Sequence, residues 1–226
     1  MLDDNYNKLD NPVWHSLSET HKKFSIDYNG IKFYHPDYCP FGGFETTENI
    51  SKHIDDYSKL VDNFFVVGNK PELSNDLTLK KELVCLQMII NQKILSEIKE
   101  EITVLGSEHI DDLFHLVTLV QPRYFKKKTA LLGNYYGIFK NGKLVSVAGE
   151  RMQMDGFVEV SAIVTHPEHT GKGYAKQLIA HTVNNFFGHN KIPYLHVTEK
   201  NSGAINLYEK LGFIKRRKIS FWNITK

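Results

Sequence analysis

The sequence predicts an α/β fold in which helices alternate with the strands of a mixed sheet. Three observations predict it. Residues 157–165 alternate apolar and polar side chains, which is the two-residue period of a strand. Residues 171–187 follow closely and repeat apolar side chains at helical spacing. The pair Asn141-Gly142, between two further strand-like segments, is a strong hairpin signal.

Polar residues of the segment NQKILSEIKE, near 91–100, separate two predicted domains, an N-terminal α/β domain at 1–95 and a second domain at 100–226. In the second domain, periodicity and turn residues predict nine segments before a last pair of strands. These are strand 101–105, helix 107–120, a Pro-Arg loop with lysines at 126–128, strands 134–140, 143–153 and 157–165, helix 171–187, strand 192–198 and helix 202–211.

The first ninety residues give weaker patterns, and no repeat is visible in them. We expect two helices, an Asn29-Gly30 hairpin and two later strands there. The helices are placed at about 12–22 and 47–61, and the strands near 64–67 and 82–90. The aromatic segment 40–44 is either an ordinary Pro/Gly loop with buried aromatic rings or a loop that closes over a substrate.

Charge and cysteine content restrict the class of protein. The 226-residue chain has a formal net charge of +2, which favours neither a nucleic-acid nor a membrane partner. Its polar, acidic start at residues 1–5 does not resemble a secretory signal. Cys39 and Cys85 are far apart and lack a Cys-x-x-Cys partner, so we expect reduced thiols in a cytoplasmic protein, without a disulfide or a metal site.

The segment between the strand 157–165 and the helix 171–187 has the features of a phosphate-binding turn. The first N–H groups of a helix have no partner inside it, and the helix dipole favours an anion there. Glycine lacks the Cβ that would block a close approach, and Lys172 and Lys176 add positive charge. The spacing matches neither the Walker P-loop nor the dinucleotide fingerprint, whose third small residue is replaced by Lys176.

This segment resembles the acetyl-CoA loop of the GNAT superfamily of N-acetyltransferases. That signature is Arg or Gln, two residues, Gly, one residue, then Gly or Ala. Only its first position departs, because Thr170 lacks the long polar side chain, and its hydroxyl is expected to cap the helix instead. The resemblance implies coenzyme A contacts from Ile163, Val164, Thr165, Thr170, Gly171, Lys172, Gly173, Tyr174, Ala175 and Asn201.

A second motif lies downstream at the distance the family shows. Residues 201–213 resemble its Asn-x-x-Ala-x-x-x-Tyr-x-x-x-Gly-Phe element. Asn201 or Ser202 can cap the start of the predicted helix, and Gly212 suits the left-handed residue just past its end. The order of predicted elements also matches the mixed α/β sheet of this superfamily. The N-terminal domain is then either a degenerate, duplicated half of the same type or an unrelated α/β cap.

The resemblance also implies catalytic residues for attack of an amine on an acyl thioester. Glu159 is the candidate general base, provided that partial burial raises its pKa. Tyr208 is the candidate proton donor to the departing thiolate, and the Ile163 N–H is the candidate oxyanion donor. The alternatives are a strand carboxylate paired with Lys or Arg for Glu159 and a core tyrosine for Tyr208.

Other polar clusters have mainly structural interpretations. Glu150 and Arg151 interrupt an apolar strand, where they form an ion pair or orient an acceptor. The basic run 215–218 is expected to be a solvated edge strand rather than a nucleic-acid patch. Five histidines without metal-ligand spacing are interpreted as packing or surface residues: His166, His169, His181, His189 and His196.

These features together predict an acetyl-CoA-dependent N-acetyltransferase that modifies the primary amine of a small acceptor by direct attack in a ternary complex. Two alternatives stay open. One is an amino-acid N-acyltransferase of the glycine-conjugating kind. The other is a non-catalytic acyl-CoA-binding sensor. A homo-oligomer is compatible with the sequence, and the scaffold does not identify the acceptor.

Overall fold

The computed structural model describes residues 4–122 and 124–226. Residues 1–3 of the polar start and Arg123 of the predicted Pro-Arg loop lie outside this part. Within it, five α-helices are present: α1 Pro12–Ser18, α2 Ile50–Ser58, α3 Ile110–Val120, α4 Tyr174–Gly188 and α5 Ser202–Lys210. The strands are β1 Ser25–Asp27, β2 Ile31–Tyr34, β3 Phe41–Phe44, β4 Asn63–Val67, β5 Thr78–Ile89, β6 Thr103–Val104, β7 Tyr135–Lys140, β8 Lys143–Met154, β9 Phe157–Thr165, β10 Ile192–Thr198 and β11 Ile214–Thr225.

All eleven strands of the described residues form one sheet, in the order β1-β2-β3-β4-β11-β5-β10-β9-β8-β7-β6. The pairs β3/β4 and β9/β10 are parallel, and each is joined by a helix, α2 or α4. The other pairs are antiparallel. The predicted mixed α/β fold is confirmed.

The sheet is arranged symmetrically about the central pair β11 and β5, with a parallel pair of strands on each side. On one side lie β4 and then β3, and on the other lie β10 and then β9. Strand β5 comes from the N-terminal segment but lies beside β10, and β11 comes from the C-terminal segment but lies beside β4. Each segment therefore places its last strand inside the sheet of the other. The division into domains at 1–95 and 100–226 stays a prediction, and residues 90–102 between the segments contain no helix or strand.

Most predicted elements are present with shifted ends. The Asn29-Gly30 hairpin joins β1 to β2, with positive φ angles of 53° and 104°. The predicted core face of α4 is confirmed, since it buries Leu178, Ile179 and Val183. The predicted last pair of strands is wrong: β11 is one strand that bends at a register shift between Lys215 and Arg217.

The basic run 215–218 lies in the part of β11 that is paired on one side. Residues 214–225 of β11 pair with β5, whereas the pairs with β4 in the described residues begin at Phe221. Its four cations are matched by carboxylates: Lys215 by Glu209, Arg216 and Arg217 by Asp10, and Lys218 by Glu199. The run is therefore a solvated edge as predicted, although β11 also pairs with β4 from Phe221 onwards.

The aromatic segment 40–44 also differs from its predicted loop. Residues Phe41–Phe44 form β3, and all four are buried. Two consecutive glycines permit this, because an added Cβ would overlap the Phe33 ring at Gly42 and would lie 2.8 Å from Asn11 Oδ1 at Gly43. In the described residues, no helix combines the length and the apolar character needed to cross a bilayer.

Candidate active site

Strands β9 and β10 separate along their length and leave a cavity between them. They pair in parallel at Phe157–Ile192, Val158–Pro193 and Glu159–Tyr194, and no further pairs follow. Beyond this point a cavity of about 520 Å³ opens. Its β9 wall is formed by Val160, Ser161, Ala162 and Ile163, and its β10 wall by His196, Val197 and Thr198.

A β-bulge shapes the β9 wall. Val147 of β8 pairs with Val164, but Gly149 pairs with Ser161, so two β9 residues oppose a single residue of β8. Ala162 has a positive φ of 50°, which a non-glycine residue rarely adopts. The bulge takes Ala162 and Ile163 out of the regular ladder where β9 lines the cavity. The Ile163 N–H as an oxyanion donor stays a prediction.

The predicted strict alternation of β9 is wrong beyond this bulge. Val158 and Val160 pack in the cluster with α4 and α5, whereas Ala162 and Val164 pack in a different cluster that includes Leu116 of α3. The extra residue exchanges the two faces of the strand. Val164 is therefore a core residue, and the Thr165 hydroxyl lies 2.7 Å from that of Ser146. Neither side chain lines the cavity.

The glycine loop has the open backbone that the sequence predicts. Gly171 and Gly173 both have φ of +76°, and an added Cβ would meet no protein atom within 4 Å. Gly173 is the N-cap of α4. Among the described residues, no protein acceptor is found for the backbone N–H groups of residues 171–176. Lys172 and Lys176 are exposed beside them, so the loop is suited to an anion.

Thr170 does not cap this helix. It lies three residues before the N-cap, and its hydroxyl donates a hydrogen bond of 3.0 Å to the Pro167 carbonyl in the preceding 3₁₀ turn. The expectation that its hydroxyl replaces the missing long side chain by capping is therefore wrong. The loop reaches its conformation through the left-handed glycines instead.

Helix α5 is capped at both ends as its motif predicts. The Asn201 side chain accepts a hydrogen bond of 3.1 Å from the Ala204 N–H. At the other end, Gly212 has φ of +96° and the Phe213 N–H donates to the Tyr208 carbonyl at 3.0 Å, which is a Schellman arrangement. These caps fix the helix that presents Asn201 and Tyr208 to the cavity.

Tyr208 is a largely buried phenol in the lining of the cavity. Its side chain is 8% exposed and lines the cavity. Burial raises its pKa to about 12, so the phenol keeps its proton at neutral pH. Within the described part of the chain its hydroxyl has no hydrogen-bond partner. The hydroxyl oxygen is not fully shielded from solvent. It is therefore available to a group in the cavity.

Both carboxylate oxygens of Glu159 accept hydrogen bonds from neighbouring side chains. Arg151 Nε and Nη2 donate to its two oxygens at 2.7 Å each, and His196 Nδ1 lies 2.7 Å from Oε1. Burial alone would raise the pKa of Glu159, but the Arg151 charge and the hydrogen bonds from His196 and Arg151 lower it to about 2. The expected rise in the pKa of Glu159 is therefore wrong, and the alternative interpretation, a strand carboxylate paired with Arg, describes this residue. Glu150, the alternative partner of Arg151, instead accepts hydrogen bonds from Asn134 and Gln153.

His196 is a site residue that the sequence interpretation missed. Gln87 Nε2 donates to the Leu9 carbonyl at 2.7 Å, and Gln87 Oε1 accepts from Arg216 at 2.9 Å. This fixes the amide orientation, so the Nε2 group that lies 3.1 Å from His196 Nε2 is a donor. His196 Nε2 must accept, and Nδ1–H donates to Glu159. Its position on the strand next to Glu159 was the available signal.

An aromatic wall of the cavity comes largely from the N-terminal segment, of which the sequence analysis offered only segment 40–44 as an alternative substrate contact. Phe41 of β3, Phe65 of β4, and Leu83 and Cys85 of β5 line it together with Phe221 of β11. Three ring contacts connect the aromatic residues: Phe41–Phe65 at 5.7 Å, Phe41–Phe221 at 5.5 Å and Phe65–Tyr124 at 5.6 Å. Both cysteines of the chain, Cys39 and Cys85, are free buried thiols.

The sequence matches a known family over the elements that build this site. Residues 104–213 match the model of the acetyltransferase (GNAT) family. They form a GNAT acetyltransferase domain. This GNAT domain contains the bulged β9, the glycine loop and Tyr208, whereas β5 and most of the aromatic wall lie outside it. The fold and the resemblance predicted from the sequence are confirmed.

Solved structures share the fold over nearly the whole chain. A structure from Novosphingobium aromaticivorans DSM 12444, assigned to the GNAT family of acetyltransferases, is 27% identical. It has a TM-score of 0.88 and covers 97% of this chain and 99% of its own. A GCN5-related N-acetyltransferase-like protein from Streptococcus suis 89/1591 is 12% identical with a TM-score of 0.63, covering 96% of each chain. This second likeness shows the fold alone.

A curated relative matches a shorter stretch of the chain. Spermidine N(1)-acetyltransferase from Vibrio cholerae serotype O1 is 43% identical over 56 residues. The match covers 24% of this chain and 32% of that protein. It therefore shows similarity over a short segment and no shared acceptor.

Proposed function

We propose that this protein is an acetyl-CoA-dependent N-acetyltransferase that transfers an acetyl group to the primary amine of a small acceptor by direct attack in a ternary complex. One observation supports the proposal most strongly. The cavity opens where β9 and β10 separate, and the same β9 leads into a loop whose free N–H groups and lysines suit a diphosphate. A linear cosubstrate with a diphosphate and a reactive thioester end matches this combination of an anion-binding loop and a neighbouring cavity.

The residues present fit coenzyme A in two places. The backbone of residues 170–175 would hold the diphosphate, because two left-handed glycines keep its approach open. The bulged β9 and the α5 start at Asn201 would hold the arm that carries the thioester. Acetyl-CoA supplies the activated acetyl group as a cosubstrate. The Ile163 N–H is proposed to stabilise the developing oxyanion.

The transfer needs a C–N bond to form, a C–S bond to break and one amine proton to leave. We assign Tyr208 as the donor of a proton to the departing thiolate, since its phenol is protonated and faces the cavity. We assign Glu159 as a positioning residue, because a carboxylate with a pKa of about 2 and four donors is a poor base. The acceptor amine then attacks in its neutral form, and its proton passes to water.

The N-terminal segment is proposed to be a degenerate half of the same type. Its β3-α2-β4 unit repeats the parallel connection of β9-α4-β10, and the two units flank the central strand pair symmetrically. The loop before α2 is acidic, with Glu45 and Glu48, and it lacks glycine. Such a loop repels a diphosphate, so this half would supply a wall of the acceptor pocket and no cosubstrate site.

Binding and turnover together test the proposal. Titration calorimetry with acetyl-CoA should give saturable binding, and a thiol-release assay with amino acids, polyamines, aminoglycosides and peptides should show CoA release with at least one amine. Binding without CoA release from any amine would support the sensor alternative. Higher rates with bulkier acyl-CoA thioesters would support the glycine-conjugating alternative. No binding at all would overturn the proposal. A cytoplasmic location and homo-oligomer formation stay predictions.

A further inference from the structure

We infer that the acceptor is an amine that also carries a carboxylate and an apolar or aromatic group, such as a hydrophobic amino acid, rather than a polyamine. The inference rests on the proposed function and specifies the acceptor for the same cavity. It combines a cavity-facing guanidinium N–H group, the absence of a free carboxylate among the described lining residues, and an aromatic wall.

Arg151 offers an unused face to the cavity. Its Nε and Nη2 are bound to Glu159, whereas its Nη1 has no partner among the described residues. The side chain lines the cavity and is 18% exposed. Its Nη1 atom is not fully shielded from solvent. A guanidinium held in place by one carboxylate presents its remaining N–H groups in a fixed direction. Such N–H groups are suited to a second carboxylate.

The cavity gives a cationic acceptor no comparable partner. Its described lining contains Arg151 but no Asp or Glu side chain. Glu159 is 1% exposed, and its oxygens already accept four hydrogen bonds from Arg151, His196 and the Met152 N–H. An ammonium group of a polyamine would therefore lie near a fixed positive charge without reaching a negative one.

The aromatic wall of the cavity is apolar. Phe41, Phe65, Leu83 and Phe221 line it, and the Arg151 guanidinium lies 4.9 Å from the centre of the Phe41 ring. One face of Phe41 is thus already occupied by a cation. Because Arg151 adjoins Phe41 and these rings line the same cavity, an acceptor whose carboxylate binds Arg151 would place its apolar group on them.

A matched pair of acceptors tests this on the wild-type protein. L-Phenylalanine and phenethylamine differ by the carboxylate alone, and spermidine supplies the polyamine. With saturating acetyl-CoA, CoA release should give a kcat/KM for L-phenylalanine that exceeds that for phenethylamine by roughly tenfold to a hundredfold, which is the effect of one charge-assisted hydrogen bond. Rates are compared at equal concentrations of the neutral amine, because the two amines have different pKa values.

The outcomes separate the inference from the proposed function. If phenethylamine or spermidine reacts as well as L-phenylalanine, or if amines without a carboxylate are the ones that react, the inference is wrong and the acetyltransferase proposal stands. If no amine releases CoA, the proposed function fails and the inference with it.

The Arg151→Lys variant then tests the residue. Lysine keeps the charge beside Glu159 but loses the fork that reaches both carboxylates. We expect kcat/KM for L-phenylalanine to fall roughly tenfold or more beyond any fall in kcat/KM for phenethylamine. Equal losses with both acceptors would indicate a purely structural role for Arg151. If this variant does not fold, the wild-type comparison decides the inference.

Discussion

Glu159 and Arg151 form a bidentate ion pair with two hydrogen bonds of 2.7 Å. The carboxylate is 1% exposed and the Arg151 side chain 18% exposed, so neither charge is well hydrated. A pair of this kind contributes less to stability than its contacts suggest, but removing one partner leaves the other buried and uncompensated. The first prediction follows from this asymmetry.

Glu159→Gln is expected to destabilise the protein by about 3 to 5 kcal/mol, because Arg151 would keep its charge without a counterion. Urea unfolding measures the change. Glu150→Gln is the matched control, since Glu150 is also buried on the neighbouring strand but accepts hydrogen bonds from neutral amide groups. Its loss should be near 1 kcal/mol. Equal losses in the two variants would contradict the ion-pair account.

The same carboxylate predicts a pH dependence of stability. Its pKa is about 2 in the folded protein against 4.5 for an unperturbed group, so the unfolded state takes up the proton first. The contribution of ionised Glu159 to the free energy of unfolding is complete above pH 4.5 and is lost as the pH falls towards 2. This contribution is on the order of 3 kcal/mol. Unfolding free energies at several pH values should show this acid loss in the wild type and a smaller loss in Glu159→Gln.

Gly173→Ala is expected to weaken coenzyme A binding. Its φ of +76° strains any L side chain, and the new Cβ would stand beside the N–H groups assigned to the diphosphate. Gly142→Ala is the control, because Gly142 has φ of +75°, equally open surroundings and a hairpin position remote in sequence from the loop. Both variants should lose about 1 kcal/mol of stability. Calorimetry should show reduced affinity in Gly173→Ala alone, and equal affinities would exclude the loop as the diphosphate site.

Tyr208→Phe is expected to lower kcat about tenfold with little change in the Kd for acetyl-CoA, since it removes a proton donor to a leaving group that needs modest help. Tyr136→Phe is the control, because the Tyr136 hydroxyl bonds to Asn185 and does not line the cavity. Since the pKa of Tyr208 is about 12, its ionisation should not limit the rate at ordinary alkaline pH. An unchanged kcat in Tyr208→Phe would remove its assigned role.

The symmetry of the sheet predicts one coenzyme A per chain rather than two. The loop that precedes α4 has two left-handed glycines, while the loop that precedes α2 has Glu45, Glu48 and no glycine. Calorimetric titration should give a binding ratio near one. A ratio near two would show that the acidic loop tolerates a diphosphate.

Features that depend on neighbouring residues were predictable from the sequence. Asn201 caps α5 and Gly212 ends it because a cap needs only its own backbone and a side chain three residues away. The Asn29-Gly30 turn was predictable for the same reason. The glycine loop also kept its predicted open conformation.

Features that depend on distant residues were not predictable. Gln87 fixes the orientation of His196 across 109 positions, and Phe41 meets Phe221 only because β11 pairs with β4. The low pKa of Glu159 depends on Arg151, whose partner could equally have been Glu150. Which strand would lie beside another was the missing information in each case, and periodicity does not contain it.

The exchange of β5 and β11 between the two segments bears on biosynthesis. The ladder that joins β4 to β5 is complete only when residues 214–225 are available, so the N-terminal segment emerges from the ribosome with an open gap in its sheet. Pairing across such separations is slow. A nascent chain stalled before β11 should therefore remain sensitive to protease throughout, including the strands translated first.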